Sequence, residues 1–153
     1  MKTIYFFTSL LFLTSCSSDR DDQQQSINIS SDVILRIKNS DGENFLNKVD
    51  PNKTELYYET NGKLNLISYN WDTPQGYVVF QEPPIDDKMI KIFCYIEGNR
   101  TSDKTFIKWS NNDFDTISYN ISRTLSGVKI NDIKYNSKSI SNNNQYGIFE
   151  ITK

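Results

Sequence analysis

The feature that most constrains this fold is a series of short runs in which apolar and polar residues alternate. In Val33 to Lys38, Val33, Leu35 and Ile37 share one face, as expected for a half-buried strand. Similar runs predict strands at 55–59, 63–69, 77–81, 88–97, 103–109, 115–123, 128–135 and 146–152. No helical apolar stripe follows residue 31, so we predict an all-β fold, an immunoglobulin-like β-sandwich of about eight or nine strands.

Turn residues and buried positions refine this prediction. Asn61-Gly62 lies between two strand-like runs and predicts a β-hairpin. Cys94 lies on the same face of its run as Ile90 and Ile92, which predicts a buried, inert thiol. Tyr77 and Trp109 are expected in the core at strand ends.

The N-terminus predicts export. Leu13-Thr14-Ser15-Cys16 resembles a lipobox, and it follows Lys2 and a short apolar run. That run of about ten residues is too short for a membrane span, which needs roughly 20. We therefore expect a signal peptide at 1–15 and a lipid anchor on Cys16 that holds the protein on a membrane. The alternative is an ordinary secretory peptide with a coincidental cysteine.

A polar segment follows the predicted anchor. Residues 16–31 have too few apolar side chains to offset the cost of ordering, so we expect a flexible tether before a single domain at 32–153. Ser17 to Asp22 resembles the acidic stretch that directs Bacteroides-type lipoproteins to the outer face of the outer membrane. The resemblance implies an outer-membrane, surface-exposed protein, and a merely solvating linker with a periplasmic location is the alternative.

Composition excludes several functions. The full 153-residue chain has a net charge of −2 at pH 7, which gives no basic surface for nucleic acid. It contains no histidine, which removes Ser-His-Asp and Cys-His catalysis. With Cys16 lipidated, Cys94 has no partner for an intrachain disulfide. We expect no enzyme activity and no cofactor.

Three segments resemble small Bacteroides-type cell-envelope lipoproteins of unknown function. The resemblance rests on spacing and hydrophobic pattern in Val33 to Leu46, Leu56 to Lys63 and Asp103 to Ile117. It covers most of the chain after Cys16. The resemblance implies a location and a fold, and it implies no particular activity.

Two motifs near residue 115 carry candidate chemistry. Asn111, Asp113 and Asp115 alternate like early calcium ligands, but Ser122 stands where a bidentate Glu is needed, so a polar turn between strands is the competing interpretation. Asp115-Thr116-Ile117 resembles the O-glycosylation acceptor of Bacteroides-type bacteria. Thr116 would be accessible if Ile117 and its alternate neighbours formed the buried face.

The remaining candidates are carboxylates and aromatic side chains. Asp86-Asp87 is predicted to lie in a loop after Pro83-Pro84, and adjacent carboxylates cannot readily face one sugar as a glycosidase requires. Tyr69 and Trp71 lie in a loop-like stretch where exposed rings could contact a glycan or a protein.

The expected function is a non-enzymatic, lipid-anchored accessory or interaction module of the cell envelope with an envelope protein as partner. The alternative is a glycan-binding surface lipoprotein associated with polysaccharide uptake. Nucleic acid is excluded as a partner.

Overall fold

The protein is all-β. The structure is a computed structural model that describes residues 28–68, 73, 75–96, 98–142 and 144–153. Within these residues there are eleven strands and two single-turn 3₁₀ helices, Phe45–Asn47 and Pro51–Lys53. The strands are β1 (Asn28–Ser30), β2 (Asp32–Lys38), β3 (Glu55–Thr60), β4 (Lys63–Leu66), β5 (Tyr77–Glu82), β6 (Ile85–Phe93), β7 (Ser102–Ser110), β8 (Asp113–Thr124), β9 (Gly127–Tyr135), β10 (Lys138–Ser139) and β11 (Ile148–Thr152).

The strands form two sheets. The large sheet has the order β1-β9-β8-β7-β3-β4, with β10 also paired to β9, and the small sheet has the order β11-β2-β6-β5. The pairs β1–β9 and β11–β2 are parallel, whereas the hairpin-connected strands are antiparallel. A β-sandwich is thereby confirmed, and the immunoglobulin-like topology stays a prediction.

The core lies between the two sheets, because each contributes one alternating apolar face. Leu35 and Ile90 from the small sheet, and Leu56, Ile107 and Ile117 from the large sheet, are fully buried in one cluster. Tyr77, Cys94 and Trp109 join the same cluster, as predicted. Burial raises the pKa of the Cys94 thiol well above its usual range, which keeps the thiol in its unreactive form.

The predicted hairpin at Asn61-Gly62 is confirmed. Both residues have positive φ, 53° and 74°, and Thr60 pairs with Lys63 across the turn. This two-residue loop matches the twist of the flanking strands. It fixes the register of β4 on β3 and therefore decides which β4 side chains face outward.

Several predicted boundaries were wrong. Asn28–Ser30, placed in the tether, forms β1 because it adds in parallel to the edge of β9. Pro83-Pro84 makes a tight turn in which Glu82 pairs with Ile85, so β6 begins immediately. Asp86-Asp87 consequently lies within β6 and not in a loop. The last strand begins at Ile148 rather than residue 146.

Candidate functional site

A buried carboxylate lies near the start of β8. Asp115 is only 4% exposed and lies on the inward face of β8. Its Oδ2 accepts hydrogen bonds from the Trp109 indole at 2.6 Å, from the Tyr135 hydroxyl at 2.5 Å and from the Lys153 ammonium. Its Oδ1 accepts from the Asn136 amide at 2.5 Å. Both carboxylate oxygens are therefore held by donors of the same chain.

Lys153 joins the end of the chain to this cluster. Its ammonium also contacts Asp113 Oδ1 at 2.6 Å and lies 4.8 Å from the centre of the Phe45 ring. Its backbone N–H donates to the Lys38 carbonyl oxygen at 2.7 Å, just beyond the β11–β2 pairing. The backbone of Lys153 is thus hydrogen-bonded to the small sheet, and its ammonium neutralises a carboxylate of the large sheet. Lys153 therefore connects the two sheets.

These contacts change the pKa of Asp115. Burial by itself raises that pKa, but the hydrogen bonds from Lys153, Tyr135, Asn136 and Trp109 outweigh burial, and the pKa lies below the usual range. Burial and the bond to Asp115 raise the pKa of the Tyr135 hydroxyl, so it stays a donor. The network is consequently built around an ionised carboxylate.

A pH dependence follows from this shift. Because the pKa of Asp115 is lower in the folded than in the unfolded protein, its stabilisation is present above the unfolded pKa of about 3.9 and is lost as pH falls through the folded value. We expect the free energy of unfolding to fall below about pH 5, and to fall less steeply for Asp115→Asn. Denaturant melts between pH 7 and the acid limit measure both slopes, and equal slopes would contradict the assignment.

The predicted polar turn at Asp113 and Asp115 was partly wrong. The turn consists of Asn111-Asn112, while Asp113 begins β8 and Asp115 is buried within it. The oxygens of Asp115 are used by donors of the chain, so Asn111, Asp113 and Asp115 do not form a calcium loop. Among the described residues, no group of three or more Cys, Asp and Glu side chains could hold a metal ion.

The outer face of the large sheet carries an apolar strip. Across the sheet, Leu66 lies opposite Tyr57, Tyr57 opposite Phe106, and Phe106 opposite Thr116. Opposed residues share a face, and their neighbours Leu56, Ile107 and Ile117 are buried, so this row points away from the core. Leu64 lies two residues before Leu66 on β4, and Phe114 lies two residues before Thr116 on β8, so both side chains are on this same face. We call Leu64, Leu66, Tyr57, Phe106 and Phe114 the outer strip.

The outer strip is accessible. Leu64, Leu66 and Phe114 are 50%, 54% and 49% exposed, and Tyr57 and Phe106 are half-buried. Leu64 and Leu66 stand on β4, the edge strand of the sheet. Single exposed apolar residues are ordinary, but contiguous ones mark interaction surfaces. The outer strip is therefore the candidate site for a macromolecular partner.

Thr116 lies opposite Phe106, at the β8 end of the row that begins at Leu66 on β4. The buried face predicted for β8, with Ile117, Tyr119 and Ile121, is confirmed. Thr116 is half-buried on the opposite face, and its backbone N–H donates to Asn136 Oδ1 at 2.8 Å. Glycosylation of Thr116 stays a prediction.

A polar groove lies on the same face beside the outer strip. It has a volume of about 770 Å³ and is formed by the start of β7, the middle of β8, the bulged part of β9 and the tip of the β3–β4 hairpin. Glu59, Lys104, Ser118 and Lys134 are among its lining residues. The outer face therefore combines an apolar half with a polar, concave half.

The predicted site residues Cys16, Tyr69 and Trp71 lie outside the described residues.

The outer strip was not predicted from the sequence, although the sequence carried a signal for it. Leu56-Tyr57 and Phe106-Ile107 are consecutive apolar pairs, which place apolar side chains on both faces of β3 and β7. An antiparallel sheet with one solvated face usually alternates strictly, so such pairs indicate a second contact surface.

Comparisons with known proteins give no relative: no family model, no curated protein and no solved structure matches the chain. Among the described residues, no helix is both long and apolar enough to cross a membrane.

Proposed function

We propose that this protein is a non-enzymatic accessory module of the bacterial cell envelope, anchored by lipid on Cys16, that binds an envelope protein through the outer strip. The observation that supports this function is the outer strip, whose apolar side chains lie on β4, β3, β7 and β8. Burying such a row against a partner removes apolar surface from water, which is the main driving force of protein association.

The charges beside the outer strip support a specific contact. Glu55 accepts hydrogen bonds from Lys108 at 2.6 Å and from the Tyr57 hydroxyl at 2.7 Å. These bonds lower the pKa of Glu55 and raise the pKa of Lys108, so both groups are charged at neutral pH. An apolar centre with charged residues at its border is the usual anatomy of a protein interface.

Replacing the two edge leucines tests the role of the outer strip. We expect the double variant Leu64→Ser, Leu66→Ser to lose its partner in chemical crosslinking of intact cells, because the apolar area that drives binding is removed. Both side chains are exposed, so the free energy of unfolding should change by only about 0.5 kcal/mol per site. Crosslinked species are identified by mass spectrometry and compared with wild type.

Leu125→Ser is the matched control, because Leu125 is 96% exposed in the β8–β9 turn and lies away from the outer strip. It should retain the crosslinked partner. If the strip variant and the control recover the same partner in equal amount, the outer strip is not the interface.

The anchor is tested separately. Acylation needs a thiol, so we expect Cys16→Ser to leave the membrane fraction or to accumulate as uncleaved precursor. Cell fractionation and intact-mass measurement distinguish these from the wild-type protein, which should carry acyl chains. A Cys16→Ser variant found in membranes at the mature mass would contradict a lipid anchor.

A further inference from the structure

The polar groove has a floor of small side chains. Ser102 lies opposite Asn120, and Lys104 lies opposite Ser118, on the outer face of β7 and β8. The register of β8 against β9 shifts between Ser118 and Asn120, and this bulge brings Asp132 to the edge of the groove. Small polar floor residues leave space for a ligand and offer it hydrogen bonds.

Two lysines flank this floor. Lys104 pairs with Ser118, and Ser118 pairs with Lys134, so the three residues form one row on the outer face. With strands about 4.8 Å apart, the lysine Cα atoms are separated by about 9.5 Å. Neither ammonium forms an ion pair with any residue that the structure describes. Their flexible stems allow both to reach one anion above Ser118.

The other charges limit the kind of anion. The Arg100 guanidinium is held by Asp103 at 2.7 Å and by the Glu59 carbonyl oxygen at 3.0 Å. Asp132 accepts a hydrogen bond from the Asn120 amide at 2.8 Å, and the Glu59 carboxylate lies at the other side of the groove. A densely charged polyanion would be repelled by these two carboxylates, whereas a single anionic group surrounded by hydroxyls would not.

We propose that the groove binds an acidic oligosaccharide and that Lys104 and Lys134 hold one uronate carboxylate above Ser118. Sugar hydroxyls then donate to Glu59 and Asp132 and exchange hydrogen bonds with Ser118 and Asn120. This site is separate from the protein-binding role of the outer strip, and either can fail without the other.

The binding test uses purified full-length protein in detergent and isothermal titration calorimetry. The probes are four short oligosaccharides of neutral sugars, each carrying a single uronate: galacturonate, glucuronate, mannuronate or guluronate. We expect at least one of them to bind and its neutral methyl ester to bind about tenfold more weakly or worse, because a charge-assisted hydrogen bond is then lost. Lys104→Met and Lys134→Met should each lower the affinity for the acidic oligomer by about tenfold.

Lys63→Met is the matched control, because Lys63 is an exposed lysine of the same sheet outside the groove. It should bind the oligomer with an affinity within about twofold of wild type. Failure of all four acidic oligosaccharides to bind overturns the proposal, as does equal binding by the two groove variants and wild type. Equally tight binding of inorganic phosphate or of the free monosaccharide would also overturn it, since the groove would then be a general anion site.

Discussion

Replacing Asp115 with alanine is expected to lower the free energy of unfolding by about 3 to 5 kcal/mol, the usual cost of breaking a buried charge pair. The substitution leaves the indole N–H of Trp109 and the hydroxyl of Tyr135 without their acceptor. It also removes the more buried of the two carboxylates that neutralise Lys153. Each buried donor that loses its partner costs free energy because it was taken out of water to make that bond. Equilibrium urea unfolding of the purified protein measures the loss.

Asp113→Ala is the matched control, because Asp113 lies two residues away on the same strand and contacts the same ammonium. Its side chain is 36% exposed, against 4% for Asp115, so its ion pair should contribute less than about 1 kcal/mol. Similar losses for the two variants would show that the Asp115 network adds nothing beyond an ordinary surface pair.

Trp109→Ala is expected to cost about 3 to 5 kcal/mol and to leave the domain near the limit of its stability. The indole is 4% exposed, packs edge-to-face on Phe45 with ring centres 5.4 Å apart, and donates to Asp115. Truncation therefore creates a cavity in the core and removes one donor from a buried carboxylate. Urea unfolding followed by circular dichroism gives the magnitude.

Trp109→Phe separates these two effects. It keeps an aromatic ring against Phe45 but cannot donate to Asp115, so the loss should be about 1 to 3 kcal/mol. A loss of unfolding free energy as large as that of Trp109→Ala would show that the hydrogen bond to Asp115 accounts for the whole effect. Because Trp109 and Asp115 are in contact, their losses should not add in the double variant.

The effect of Trp71→Ala on the free energy of unfolding tests the alternative, glycan-binding function. We expect a change near the surface value of about 0.5 kcal/mol, because the sequence around Trp71 is typical of a loop. Trp71 lies outside the described residues, so its role as a glycan contact stays a prediction. A loss of several kcal/mol would make Trp71 a core residue and would remove it from the candidate binding residues.

The strand pattern could be predicted because it is local. Alternation in Val33 to Lys38 identifies the buried face of β2 directly, and Asn61-Gly62 has the backbone preference that a two-residue hairpin needs. The strand ends were predicted less accurately, because the residue at which a strand begins or ends depends on the strand with which it pairs. β1 exists only because β9 offers an unpaired edge, and β6 begins at Ile85 because Glu82 is already opposite it.

The sequence by itself determined the all-β class, the inward face of most strands and the burial of Cys94 and Trp109, since these depend on a period of two residues. The environment of Asp115 was decided by tertiary structure. In the sequence it is one more polar residue near a turn, and its burial is stable only because Trp109, Tyr135, Asn136 and Lys153 bring donors from separate segments. The outer strip and the row of Lys104, Ser118 and Lys134 likewise depend on strand register, which joins residues that are distant along the chain.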